Sequence, residues 1–248
     1  RAPRALAGSL VLAVSQSGRS PDLLELAEAA RYGGALLVAI VNDETSPLAN
    51  AADLVIPLCA GEETAVAATK SYLLSCLAFL QLAAAWTGNR ALRDAVAAAP
   101  DVLEAALTSP WDLTPLASTR SLYVVARGVG LGAAHEMALK LKETCRLHAE
   151  AFSTAEVLHG PVALVGDGFP VIAIAQPDET EGQAREVFDQ LASFGATLVE
   201  PPPLAGVPAV LAPLVHVLRF YLGLPALAAL RGLDADRPAH LSKVTRTR

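Results

Sequence analysis

Three groups of residues have types and spacings that could support chemistry. The first is Ser15-Gln16-Ser17-Gly18-Arg19-Ser20-Pro21. It follows an apolar run of strand length, Leu10–Val14, and precedes Leu23, Leu24, Leu26, Ala27 and Ala30 at helical spacing. A strand–loop–helix aims loop amides and a helix N-terminus at one point, which suits an anion. The hydroxyls of Ser15, Ser17 and Ser20 and the amide of Gln16 would add uncharged donors. The loop lacks both the lysine of a Walker loop and the glycine spacing of a dinucleotide-binding turn. A small phosphate monoester therefore fits better than a nucleotide. An ordinary turn with serine as helix N-cap fits the same residues.

The second group is Glu136, Lys140 and Glu143, at i, i+4 and i+7 of one predicted helix and hence on one face. Met137, Leu139 and Leu141 lie mostly off that face. Such a row can serve proton transfer, but its spacing is equally that of a solvated ion-pair stripe. The third group is scattered. His159 lies in a polar break, Glu156–Pro161, where it can act as an acid–base group near neutral pH or simply hold structure. Lys243, in His240–Thr245, can form a Schiff base with a sugar carbonyl or merely be solvated. His135, His148, His216 and His240 have weaker claims. No His/Cys/Asp cluster has ligand spacing, so no metal is expected.

The elements that must position these groups read as α/β layers. The chain has 248 residues, 53% hydrophobic and 18% charged, with only 5% aromatic. Its cores must therefore be built of Ala, Leu and Val. A net charge of −6 without a basic run argues against a nucleic-acid binder. Cys59, Cys76 and Cys145 are odd in number and sit in apolar patterns, which predicts buried thiols in a reducing compartment. With no signal peptide and no apolar stretch of membrane length, the expectation is a soluble cytoplasmic protein with no membrane partner.

An internal repeat sets the layout. Val11–Gln16 aligns with Val171–Gln176. Each run leads to a helix (Leu23–Arg31, Gln183–Phe194), a Gly-Ala turn and another apolar strand (Leu36–Val41, Thr197–Val199). Two matching βαβ units imply two parallel-sheet domains, expected over residues 1–110 and 111–248. The second copy carries an extra strand, Ser121–Ala126, a turn at Gly128–Gly130 and a helix, Ala133–Thr144. The first copy has no counterpart, so an opening strand and helix are expected upstream of residue 1. Further helices are predicted over Ala65–Trp86, Ala91–Ala99, Ala209–Leu222 and Ala226–Arg231. Pro100–Pro115 is read as the link between domains, and Asp234–Arg248 as a polar tail. Copy two has Ala175, Pro177, Asp178 and Thr180 where copy one has Ser15, Ser17, Gly18 and Ser20. Proline removes a donor and aspartate repels an anion, so one phosphate site, in the first domain, is expected.

Taken together, these residues resemble the sugar isomerase (SIS) domain family. Ser-Gln-Ser-Gly-x-Ser after a strand resembles its phosphosugar loop. Glu62–Lys70 resembles the segment that follows it in the isomerase half of glucosamine-6-phosphate synthase. Glu136–His159, with Ala138–Glu143, His148–Ala151 and Glu156-x-x-His159-Gly160-Pro161, is the most specific match, and Leu241-Ser242-Lys243 resembles the family's Leu-Ala-Lys tail. The resemblance covers nearly the whole chain and implies two tandem SIS domains, each a parallel sheet flanked by helices in a flavodoxin-like or Rossmann-like three-layer sandwich.

By that resemblance Ser15, Gln16, Ser17 and Ser20 would hold a 6-phosphate. Val66 would meet the sugar through its backbone, with Ser242 beside Lys243 in the site. His159 would help open the ring, a histidine that a homodimer can supply from the neighbouring subunit. Glu143 would move the proton between C1 and C2, supported by Glu136 and Lys140, and Lys243 would engage the carbonyl. Such aldose–ketose interconversion requires no redox cofactor or metal. Ser17-Gly18-Arg19-Ser20 and Ala68-Thr69-Lys70 depart from the synthase's usual Ser-Gly-Glu-Thr and Ser-Thr-Lys. They are closer to stand-alone SIS proteins that deaminate glucosamine 6-phosphate to fructose 6-phosphate and ammonia. Deamination is therefore the first expectation, with a glutamine-dependent aminotransferase as the alternative. A phosphosugar sensor without turnover is a third possibility, against which the joint presence of Glu143, His159 and Lys243 argues.

Overall fold

The computed structural model describes residues 5–203 and 205–243. The chain divides into two compact units, Arg1–Gly88 with Ala239–Arg248, and Asn89–Pro238.

In the first unit, β1 (Leu10–Ser15), β2 (Leu36–Val41) and β3 (Leu54–Pro57) lie side by side in that order, all parallel. Helix α1 (Pro21–Tyr32) links β1 to β2, α2 (Pro47–Ala51) precedes β3, and α3 (Lys70–Thr87) follows it. Ala13, Leu37, Ala39 and Val41 cluster with Ala27 of α1 and with Leu48 and Ala49 of α2. Ile40 and Ile56 cluster instead with Leu74 and Ala78 of α3. Both faces of β2 are therefore covered, which is why Leu36–Val41 is a continuous apolar run and not an alternating one.

The second unit contains α4 (Arg90–Ala106), β4 (Ser121–Ala126), α5 (Gly130–Cys145), β5 (His148–Ser153), α6 (Thr154–Val157), β6 (Pro170–Ile174), α7 (Glu181–Ser193), β7 (Thr197–Val199) and α8 (Ala212–Leu230). Its four parallel strands run in the order β5-β4-β6-β7. Tyr123, Val125, Val171 and Ala173 form a core with Phe188 and Leu191 of α7, and the intervening Val124 and Ile172 are equally inaccessible. The repeat is visible in the topology: β1–α1–β2 and β6–α7–β7 are both neighbouring parallel strands joined through a helix. β6 has β4 on its far side, whereas β1 has no strand there among the described residues.

Several boundaries differ from those read off the sequence. The division falls at Gly88 and not at residue 110, because α4 packs with α8, and the tail from Ala239 joins the first unit. Helix α3 starts at Lys70 and not at Ala65, since the preceding residues are held irregular by side-chain bonds described below. Helix α4 continues past Pro100 to Ala106, so the first part of the expected link is helix. Helix α8 likewise runs unbroken through Pro225. An internal proline costs about 3 kcal/mol. Burial of Val215, Phe220, Leu224 and Leu227 contributes roughly 1.5–3 kcal/mol per side chain and outweighs it. That continuity gives Ala209–Leu230 the length and hydropathy of a membrane span, which the sequence reading had not found, yet 61% of it is buried inside the protein. It is a core helix. Gly223 lets it press against the loop at Trp111, whose N–H donates to Arg219 O at 2.9 Å; a Cβ there would collide with the Trp111 carbonyl. None of the three cysteines is in a disulfide; Cys145 is buried as expected, whereas Cys76 is half-buried and Cys59 is exposed at a left-handed turn with φ 54°.

Candidate active site

The phosphate-loop candidates lie where β1 turns into α1. Gly18 has φ +62°, and an added Cβ would collide with the Ser46 side chain, so the turn requires glycine twice over. The loop is closed on itself: Gly18 N–H donates to Ser15 Oγ at 3.0 Å and Arg19 N–H to Ser17 Oγ at 3.4 Å. Leu48 N–H also donates to Gly18 O at 3.1 Å, tying the loop to α2. Ser20 occupies the N-cap position of α1 with extended backbone, but its side chain makes no capping bond. The ordinary-cap reading therefore accounts for the position of Ser20 and not for its hydroxyl. Arg19 reaches Asp43 at 2.7 Å and with Thr45 holds that carboxyl below the usual range.

Ser15, Gln16, Ser17 and Ser20 line a cavity of ≈ 180 Å³ together with Val66, Ala68 and Lys243. The lysine comes from the far end of the chain. Its Nζ donates to Ala65 O at 2.6 Å and lies 3.6 Å from Glu63 Oε2. It is only 27% exposed, so the solvated-tail reading does not apply to it. Ser242 beside it is exposed.

Glu63 was not singled out in the sequence. Its carboxylate is buried, with Oε1 accepting from Thr69 N–H at 2.9 Å and Ser71 N–H at 3.3 Å, and Oε2 accepting from Ser71 Oγ at 2.7 Å. Burial pushes its pKa up, but these bonds and the Lys243 charge outweigh that and leave it below the ordinary value. The only hint was its place inside the Glu62–Lys70 segment.

In the second unit, α5 carries the carboxylate–ammonium row inward. Glu136 is 8% and Lys140 4% exposed, so the alternative of a solvated ion-pair stripe does not hold for them. Both sit among fully buried neighbours, Met137 and Leu141 included. Lys140 Nζ is 2.6 Å from Glu143 Oε2 and 3.4 Å from Glu136 Oε1. Tyr221 Oη on α8 donates to Glu136 Oε1 at 2.5 Å. Two carboxylates share one ammonium, which makes the network anionic. Burial raises the pKa of Glu136 against the opposing pull of Lys140 and Tyr221. Glu143, 22% exposed at its side chain, is the more accessible of the two acids. Tyr221 escaped notice because it lies within an apolar helical run, 85 residues from its partner.

His159 follows α6 in an exposed turn, its N–H donating to Glu156 O at 2.9 Å. Helix α6 itself is fixed by a capping box between Ser153 and Glu156. His216 is buried in the second unit, and burial with Arg219 nearby pushes its pKa down to about 4. The described residues contain no group of three His, Cys, Asp or Glu arranged to hold a metal.

The chain is similar to known proteins in sequence and in fold. A family model described as SIS domain matches residues 2–85 and 115–199. The glutamine–fructose-6-phosphate aminotransferase (isomerizing) of Thermococcus kodakarensis is 35% identical over 95% of this chain and 43% of its own length. That of Thermotoga maritima is 30% identical over 97% and 44%. The chain thus spans less than half the length of these curated relatives. Among solved structures, a candidate phosphosugar isomerase of Silicibacter pomeroyi superposes with TM-score 0.87 at 40% identity, over 95% of this chain and 76% of that one. A glucosamine-6-phosphate deaminase of Thermotoga maritima superposes with TM-score 0.80 at 23% identity, over 100% and 77%, a likeness of fold alone.

Proposed function

The chain belongs to the SIS domain family, and from that membership we infer that it binds a 6-phosphorylated sugar and interconverts its aldose and ketose forms, as the isomerase portion of a fructose-6-phosphate aminotransferase. The observation that carries the reading is the first-unit cavity, where loop hydroxyls, a helix N-terminus and the Lys243 amine converge. Hydroxyls and amides suit a phosphate dianion held at fixed depth. A primary amine in the same cavity suits a carbonyl carbon, which it attacks with loss of water to give an imine.

Proton transfer between C1 and C2 falls to Glu143. Its carboxylate takes the proton from one carbon and returns it to the other through an enediol or enediolamine. Lys140 holds that carboxylate in place, and buried Glu136 holds Lys140. His159 is assigned to ring opening, and a homodimer is the assembly in which a neighbouring subunit could provide it. The aminotransferase reading is preferred to deamination because the curated relatives that align along this chain carry the former name. The second reading keeps one observation of its own. Arg19 stands where the synthase loop usually has Glu, and it is engaged with Asp43 at 2.7 Å.

The test is turnover of fructose 6-phosphate and glucosamine 6-phosphate by the full-length protein. Formation of glucosamine 6-phosphate that depends on glutamine supports the aminotransferase. Steady ammonia release from glucosamine 6-phosphate without glutamine would replace it with the deaminase. Sugar-phosphate binding without either turnover would replace both with a sensor. In the active case Glu143→Gln is expected to lower kcat by about 10²–10⁴-fold while the sugar phosphate still binds.

A further inference from the structure

We propose that Glu63 is a positioning residue that holds Lys243 at the sugar carbonyl and, through the same carboxylate, shapes the wall the sugar lies against. The inference rests on the reading of Lys243 as the carbonyl-engaging amine.

Glu63 is one of few charged side chains buried in the first unit, and its two oxygens face different parts of it. Oε1 takes the Thr69 and Ser71 N–H groups at the start of α3, and Oε2 takes the Ser71 hydroxyl and faces Lys243 Nζ at 3.6 Å. The residues between these anchors, 64–68, include the Val66 and Ala68 lining of the cavity and the Ala65 carbonyl that accepts from Lys243 at 2.6 Å. One carboxylate thus closes residues 63–71 into a loop and pins to it a lysine more than 170 residues later in the chain. Leu241 and Ser242 are exposed, whereas the Lys243 amine is held by the Ala65 carbonyl and faces the Glu63 carboxylate. A buried carboxylate with three hydrogen bonds and a cation stays ionised, which suits holding an amine and not taking a proton from it.

The test is a double-mutant cycle on the whole protein, with sugar-phosphate turnover as the readout and binding of inorganic phosphate as the control. Glu63→Gln keeps size and one acceptor oxygen, replaces the other with a donor NH2 and removes the charge. It is expected to lower kcat by roughly 10–100-fold, the range of a supporting-group mutation, with phosphate affinity changed less than about threefold. In a Lys243→Ala background the same change is expected to cost less than about twofold, because its effect acts through the lysine. Equal loss in both backgrounds, or no loss in either, overturns the proposal. If Lys243→Ala itself leaves turnover intact, the reading of the lysine fails, and with it the premise, which the other outcomes leave standing. Should Glu63→Gln not fold, Ser71→Ala removes one donor from the same carboxylate. A smaller loss that vanishes in Lys243→Ala supports the proposal, and a loss that persists there overturns it.

Discussion

Glu136 and Glu143 stand on the same helix face, two turns apart, yet they cannot do the same work. Glu136 is sealed against Tyr221 and Lys140, while Glu143 keeps an open edge. Buried ion networks seldom add stability, because desolvation of the ions offsets their attraction. Removing one partner is still costly. Tyr221→Phe takes the phenol donor of Glu136 Oε1 away from a buried carboxylate and is expected to destabilise the protein by about 1.5–3 kcal/mol, measured by urea unfolding. An unchanged midpoint would mean that water replaces the phenol there. The two buried acids also predict opposite pH signatures. Glu63 has its pKa held below the usual 4.5, so its contribution to stability is present above that value and lost as pH falls through the folded value. Glu136 has its pKa raised above 4.5 by burial, so its contribution is full below that value and lost as pH rises through the folded one. Unfolding free energies across pH 3–8 should show Glu63→Gln flattening the acid side and Glu136→Gln the neutral side.

At the scale of elements, the phosphate loop depends on one glycine. Gly18 must take a positive φ and must also clear Ser46, which is buried and caps α2. Gly18→Ala is expected to cost roughly 1–3 kcal/mol from backbone strain and to weaken phosphate binding at least tenfold, read by calorimetry with inorganic phosphate. Intact binding would mean that the loop amides do not form the site. Much of this element was legible beforehand, because an apolar run, a Ser/Gly turn and a 3.6-residue period are local signals. The prolines were misread for the opposite reason. Pro100 and Pro225 locally argue for a break, but the buried faces of α4 and α8 override them, and burial is decided by distant residues. Strand β5, His148–Ser153, was missed because its alternating Glu150 and small Ala149 and Ala151 give a weak pattern, and pairing with β4 makes it a strand.

At the scale of the whole molecule, the chain returns to the first unit after completing the second. A domain boundary read as a single point in sequence could not anticipate that, since the Lys243 amine bonds to the Ala65 carbonyl across 178 residues of chain. Ending the chain at Pro238 is expected to abolish turnover while leaving the thermal unfolding of the second unit unchanged and phosphate binding by Ser15–Ser20 within about threefold. Loss of both unfolding signals would show that the tail is needed for folding.

What the sequence determined by itself was the repeated βαβ pattern, the parallel α/β class, and the residue types of the loop and of the α5 row, because each is written in nearest-neighbour periodicity. The tertiary structure alone decided that the α5 row is buried and not solvated, that Tyr221 completes it, and that Lys243 is pinned to Glu63 and Ala65 in the phosphate cavity. Those outcomes depend on which surfaces meet across 85 and 178 residues of chain. Desolvation and long-range hydrogen bonds act only once those surfaces are in contact.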